Sequence, residues 1–171
     1  MEFRFNKGDY VKYSSNGVCL IEDLKIMKSP ATGKQTYFYI LKPTSGNTST
    51  IYAPVDNEQI LARMRPILSK KEIDNLIYSV RVSGLQWIDD RKERMKYFKA
   101  SIINGNIEDL LKIISSIYIK KRELETENKR LSATDDGILK QAESIVNNEF
   151  SFALKLSGNQ IGEYIRNKLN N

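Results

Sequence analysis

The run Arg91-Lys92-Glu93-Arg94-Met95-Lys96-Tyr97-Phe98-Lys99 places five cations and one anion in nine residues. Wound as an α-helix of about 3.6 residues per turn, Arg91, Lys92, Lys96 and Lys99 share one arc. Such an arc presents charge to a row of phosphates, and it is also how an ordinary solvated helix face is built. Trp87, the only tryptophan, stands in a loop just ahead of this run. A flat indole there can stack on a base or plug the junction between two parts of the protein. A second basic group, Lys120-Lys121-Arg122 with Lys129-Arg130, is interleaved with Glu123, Glu125 and Glu127. Pairing along a helix accounts for that group as readily as a nucleic acid does. The net charge of +6 favours a polyanionic partner without naming one.

Other chemistry is thinly supplied. The chain has no histidine, which removes imidazole zinc sites, Ser-His-Asp triads and Cys-His pairs. Cys19 is the single cysteine and sits in an alternating apolar stretch, where a thiol is core rather than nucleophile. It leaves no internal disulfide, as suits a reducing cytosol. The stretch "SPATGKQT" brings Gly33 and Lys34 together, but a phosphate loop needs Gly where Lys28 stands and Ser or Thr where Gln35 stands. No carboxylate pair stands out for acid–base work. The expectation is a protein without catalytic residues, metal, cofactor or small-molecule substrate. Glu2 and a polar turn follow Met1, so no secretory signal is read, and no apolar run approaches the length of a membrane span. Asn47-Thr48-Ser49 matches a glycosylation acceptor, but without export it reads as a turn. A cytoplasmic location follows as the expectation.

The elements that must position these groups fall into two sets. Residues 1–68 hold every proline and read as short strands: Tyr10 to Tyr13, Val18 to Lys28 with a bend near Glu22-Asp23, Thr36 to Leu41, Thr48 to Ala53, and Ala62 to Arg65 before Pro66. Turns at Gly8-Asp9, Asn16-Gly17, Ser29 to Gly33 and Pro43 to Asn47 separate them. Five short, bent strands in so few residues predict a small SH3- or Tudor-like β-barrel, and an open edge of such a barrel can accept a strand from a partner. From Ser69 the pattern turns helical. Ser69 with Glu72 forms a capping box ahead of Lys70 to Val80, and Ser83-Gly84 breaks that helix. Asp89 or Asp90 opens a helix to Asn104, and Gly105-Asn106 stops it. Ile107 to Glu125 follows, then a helix capped by Ser132 with Asp135 and ended by Ser157-Gly158, then Asn159 to Lys168. Strands followed by helices, without alternation, predict an α+β chain of two domains, 1–68 and 69–171, the second a compact helical bundle.

Three segments of the front half carry a resemblance. "FNKGDYVKYSSNGV", "YFYILKP" and "TIYAPVDN" resemble, in order and spacing, the RNA-polymerase-interacting domain of the CarD/CdnL/TRCF family. The residues that carry it are Gly8, Asp9, Val11, Tyr13, Gly17, Val18, then Tyr39, Leu41 and Lys42, then Ile51, Pro54, Val55, Asp56 and Asn57. Relatives usually have Pro-x-x-Gly where Ser14 to Gly17 stands. In the back half, Lys99 to Tyr118 and "LSATDDGILKQAE" are similar to the family's C-terminal helices. The match runs from about Phe5 to Leu156, which sets the chain with the full-length CarD/CdnL-like regulators rather than with the helicase-bearing coupling factors.

The resemblance implies a bacterial transcription regulator that docks on the RNA polymerase β subunit through the barrel. Its helical domain would then meet promoter DNA at the upstream edge of the bubble and stabilise the open complex. It implies that Trp87 wedges into the minor groove at the fork while Arg91, Lys92, Lys96 and Lys99 hold phosphate. It also implies polymerase contacts from exposed strands, at Lys25, Met27 and Lys28 and at Thr50, Ile51 and Tyr52. Some relatives carry arginine at the positions of Met27 and Tyr52, so the contact here would be more apolar. Two other readings remain open: a protein-interaction adaptor whose basic helix is inert, and a module for single-stranded RNA.

Overall fold

A computed structural model describes residues 3–46 and 49–170. The chain forms two compact units that divide between Ile67 and Leu68. The first is all strand but for one short helix. It contains β1 (Tyr10–Tyr13), β2 (Val18–Lys28), β3 (Gln35–Pro43), β4 (Ile51–Pro54), α1 (Glu58–Leu61) and β5 (Met64–Pro66). All pairings are antiparallel and the order is β4-β3-β2-β1-β5, so β4 and β5 are the two edges. This is the expected SH3/Tudor-like unit, open at its edges.

Local chemistry explains the path. Gly17 takes φ 81 after a single 3-10 turn, and the Tyr13 amide donates to its carbonyl at 3.0 Å, which reverses β1 into β2. Ser14 in that turn sits at φ 46, a backbone that a proline ring excludes, so this corner differs from the Pro-x-x-Gly of resembling sequences. Gly33 at φ 69 closes the β2–β3 hairpin, its amide donating to the Ser29 carbonyl at 2.8 Å. The core gathers Val11, Cys19, Ile21, Tyr39, Leu41, Ala53 and Met64 under Phe5 and Tyr13, and the Tyr39 hydroxyl accepts the Phe5 amide proton at 3.2 Å. Three expectations shift. β4 begins at Ile51, with Ser49 and Thr50 outside it; Thr48 lies outside the described residues. β5 starts at Met64 rather than Ala62, because α1, which the strand pattern does not foresee, takes up the chain before it. The Asn57 side chain caps α1, accepting from the Ile60 amide at 3.1 Å.

The second unit is helical: α2 (Lys70–Ser83), α3 (Arg91–Asn104), α4 (Ile107–Thr126), α5 (Ala133–Leu154) and α6 (Gly158–Asn170). The Ser69–Glu72 capping box is present, Asp90 and Asn106 cap α3 and α4, and Ser132 caps α5 by accepting from the Asp135 amide. Gly105 at φ 65 ends α3. α5 stops at Leu154 and not at Ser157-Gly158: Lys155 adopts φ 55 and its amide returns to the Ser151 carbonyl, a left-handed cap made without glycine. Two cores result. One is built from α2, α4, α5 and α6 around Ile73, Ile77, Leu110, Val146, Phe150 and Ile161. The other joins α3 to α4 and α5 through Phe98, Ile113, Ile117, Ile138 and Leu139. Among the described residues no helix is long and apolar enough to cross a membrane.

Candidate functional site

Sheet register decides which residues of the first unit can meet a partner. Residues paired across neighbouring strands share a face. The rows Lys25–Phe38–Pro54 and Asp23–Ile40–Tyr52 therefore lie on one face, opposite the rows of Leu24, Tyr39 and Ala53 and of Ile21, Leu41 and Ile51 that enter the core. Glu22 is an extra residue in β2 between Ile21 and Asp23. The outer face presents Tyr52 at 54% exposure and Met27 at 37%, beside the covered Phe38 and Ile40, with Lys25 exposed at its margin. Of the six residues named for docking, Lys25, Met27 and Tyr52 share this face, with Tyr52 two strands away from Met27. Ile51 turns inward against the core and can offer a partner only its edge backbone. Lys28 pairs with Gln35 on the other face, and Thr50 lies exposed just ahead of β4. Sequence alone does not single out Phe38 and Ile40, because their inner or outer placement depends on the pairing.

On the second unit, Lys92, Lys96 and Lys99 are exposed on α3 and none makes an ion pair among the described residues. They fall within about 60° of the helix circumference, over a rise of about 10 Å. Arg91 stands at the edge of that arc and is drawn aside, its Nη2 donating to Thr134 Oγ1 at 3.4 Å. The basic run thus resolves into a strip of three free lysines, one partly engaged arginine and one buried arginine, Arg94.

Trp87 is half-buried in the loop between α2 and α3. Its ring meets Phe98 edge-on at 6.5 Å between centroids, with the Arg94 guanidinium 4.3 Å away and the Lys120 ammonium 5.9 Å away. The indole is therefore seated on the α3–α4–α5 core, with part of its surface still open and cationic groups around it. That arrangement suits stacking on a base next to phosphate. Two of the five cations of the second basic group pair within it: Lys120 meets Glu123 at 3.1 Å and Lys129 meets Glu127 at 2.7 Å. Lys129 holds the Glu127 carboxyl below its usual range.

Among the described residues no cluster of acidic or sulfur side chains could hold a metal ion. Cys19 is fully buried, and burial pushes its thiol up to about 11 against a smaller opposing pull from Lys12. Labelling of Cys19 by a thiol reagent at pH 8 should therefore run at least about a hundredfold slower in the folded protein than in the unfolded chain, burial adding to the loss of thiolate. Equal rates would mean that the thiol is open.

The family model described as the CarD-like/TRCF RID domain matches residues 5–68. No curated protein matches the chain.

Proposed function

Through residues 5–68 the chain belongs to the CarD/CdnL/TRCF family, as a bearer of its RNA-polymerase-interacting domain, and from that premise we propose how it acts. It is an RNA-polymerase-interacting, transcription-related protein. In our reading the partner is the β subunit, met by the outer face of β2–β3–β4 and by the β4 edge, which can add a strand from the partner. The helical unit meets promoter DNA at the upstream edge of the bubble, with Lys92, Lys96 and Lys99 on phosphates and Trp87 at the fork, where a stacked ring opposes reclosure. Arg91 contributes less, being engaged by Thr134. The chain catalyses no reaction in this reading; it lengthens the life of the open complex.

The observation that carries the DNA half is that α3, preceded by a half-buried tryptophan flanked by cationic groups, exposes three lysines that hold no ion pair among the described residues. Each contact is individually weak, and tethering through the first unit raises the local concentration enough for them to count. The test pairs two variants in one assay of recruitment and open-complex lifetime. Met27→Asp/Tyr52→Asp should abolish capture by an isolated β-subunit lobe. Trp87→Ala should leave capture intact but shorten the lifetime about fivefold or more, the range of a single base–aromatic stack. Capture that survives the first variant removes the docking face, and an unchanged lifetime removes the wedge.

A further inference from the structure

Of the five cations in the basic run, Arg94 alone is buried, at 7% exposure. Its guanidinium is held on both edges. Nε donates to Asp135 Oδ1 at 3.0 Å and Nη2 to Asp135 Oδ2 at 3.2 Å, while Nη1 donates to the carbonyls of Ile88 at 2.8 Å and Asp89 at 3.1 Å. Its centre also lies 4.3 Å from the middle of the Trp87 ring. One side chain thus grips the loop by the ring of Trp87 and by the backbone of the two residues after it. Asp135 is itself fixed at the start of α5. Its amide donates to Ser132 Oγ at 3.1 Å, and the Ser132 hydroxyl donates back to Oδ2 at 2.6 Å.

Stability alone is a poor explanation for this fork. A buried ion pair loses much of its attraction to desolvation, and well-packed apolar residues often serve the fold as well. A flat, rigid donor set supplies something an apolar side chain cannot, which is a defined orientation for the segment it bonds. Without it the Ile88 and Asp89 carbonyls lose their donors and the indole loses one wall of its seat. We propose that Arg94, braced by Asp135, is a positioning residue that presets Trp87 for its nucleic-acid partner, so that little ordering remains to be done on binding. The consequence for DNA rests on the reading of Trp87 as the wedge. The ordering of the loop does not.

Trp87 is the only tryptophan, so its fluorescence reports this loop alone. Two variants separate positioning from folding: Arg94→Lys keeps the charge and loses the fork, and Arg94→Met/Asp135→Asn removes the pair without stranding a buried charge. In the free protein, below the melting midpoint, both should raise acrylamide quenching of Trp87 and lower its anisotropy toward the unfolded values. In promoter complexes both should shorten the open-complex lifetime about tenfold, the scale of ordering one or two loop residues. Combined with Trp87→Ala, they should add nothing further, since they act through that ring. Unchanged quenching overturns the proposal, as does an equal lifetime loss with and without the indole. If Trp87→Ala by itself leaves the lifetime unaltered, the wedge reading falls, and the quenching of the free protein still decides for or against Arg94.

Discussion

Deleting residues 158–171 is expected to lower the melting midpoint of the helical unit by on the order of 20 °C, or to leave that unit unfolded. α6 does not trail from the fold. Ile161 is fully buried in the core of α2, α4 and α5, and Tyr164 and Ile165 pack half-buried beside it. Burying one such side chain stabilises by about 1.5–3 kcal/mol, so the loss approaches 5 kcal/mol in a fold whose whole margin is about 5–15 kcal/mol. A polar latch adds to this: the Tyr164 hydroxyl donates to Asp74 Oδ1 at 2.5 Å, and Lys168 Nζ lies 2.9 Å from Oδ2. Burial alone would raise the Asp74 carboxyl, but Tyr164 and Lys168 outweigh it and hold the group below its usual range. Burial, helped by Asp74, pushes the Tyr164 hydroxyl up to about 12. The signs give a window. A depressed carboxyl stabilises fully above its ordinary value near pH 4 and loses that contribution as pH falls through the folded value. A raised phenol stabilises fully below about pH 10 and loses its contribution as pH climbs toward 12. Circular dichroism melts across pH check both parts. Asp74→Asn should flatten the acid limb, and a truncated chain that melts where the full chain does would show that α6 is dispensable.

The second large effect is electrostatic. Lys92→Glu/Lys96→Glu/Lys99→Glu should weaken binding to fork-junction DNA and lower the slope of log affinity against log salt by about 3, near 0.9 for each phosphate that is no longer neutralised. None of the three lysines holds an ion pair among the described residues, so the stability of the fold should stay within about 1.5 kcal/mol of wild type, about 0.5 for each substitution. Arg91→Ala should move the slope less than any one of the lysine changes, because its guanidinium already reaches Thr134. A salt slope that the triple change leaves alone would make the strip an ordinary solvated face. Unchanged capture by the β lobe should accompany the loss of DNA affinity, since the strip and the sheet face lie on different units.

How far the sequence can be read depends on the distance over which each feature is decided. The capping box of Ser69 and Glu72 and the pairing of Ser132 with Asp135 are local, and both are read directly. So are the span of β2 and its bend, since a Glu-Asp pair follows the apolar stretch Val18 to Ile21. α1 escapes because four residues are too few to show a helical period, and Asn57 is its one local mark. The end of α5 is misplaced from sequence because Lys155 makes the turn that glycine ordinarily signals. At the site, the exposed lysines follow from helical spacing on α3. The tie from Arg94 to Asp135 spans 41 positions, and no spacing rule reaches that far. Ile51 and Lys28 depart from the expected docking face for a related reason. Which way a strand residue points is decided by its partner strand, and a pattern of two alone does not choose between the faces.

The extra residue Glu22 has a consequence that outruns its size. Up to Ile21 the odd-numbered side chains of β2 enter the core; past Asp23 it is the even-numbered Leu24 that does so, and Lys25 and Met27 look outward. That one residue works like an inserted letter in a reading frame: the text downstream is unchanged, but its meaning is reversed. Two chains identical at Lys25 and Met27 but differing by one residue at this bulge would therefore turn opposite halves of the same strand outward.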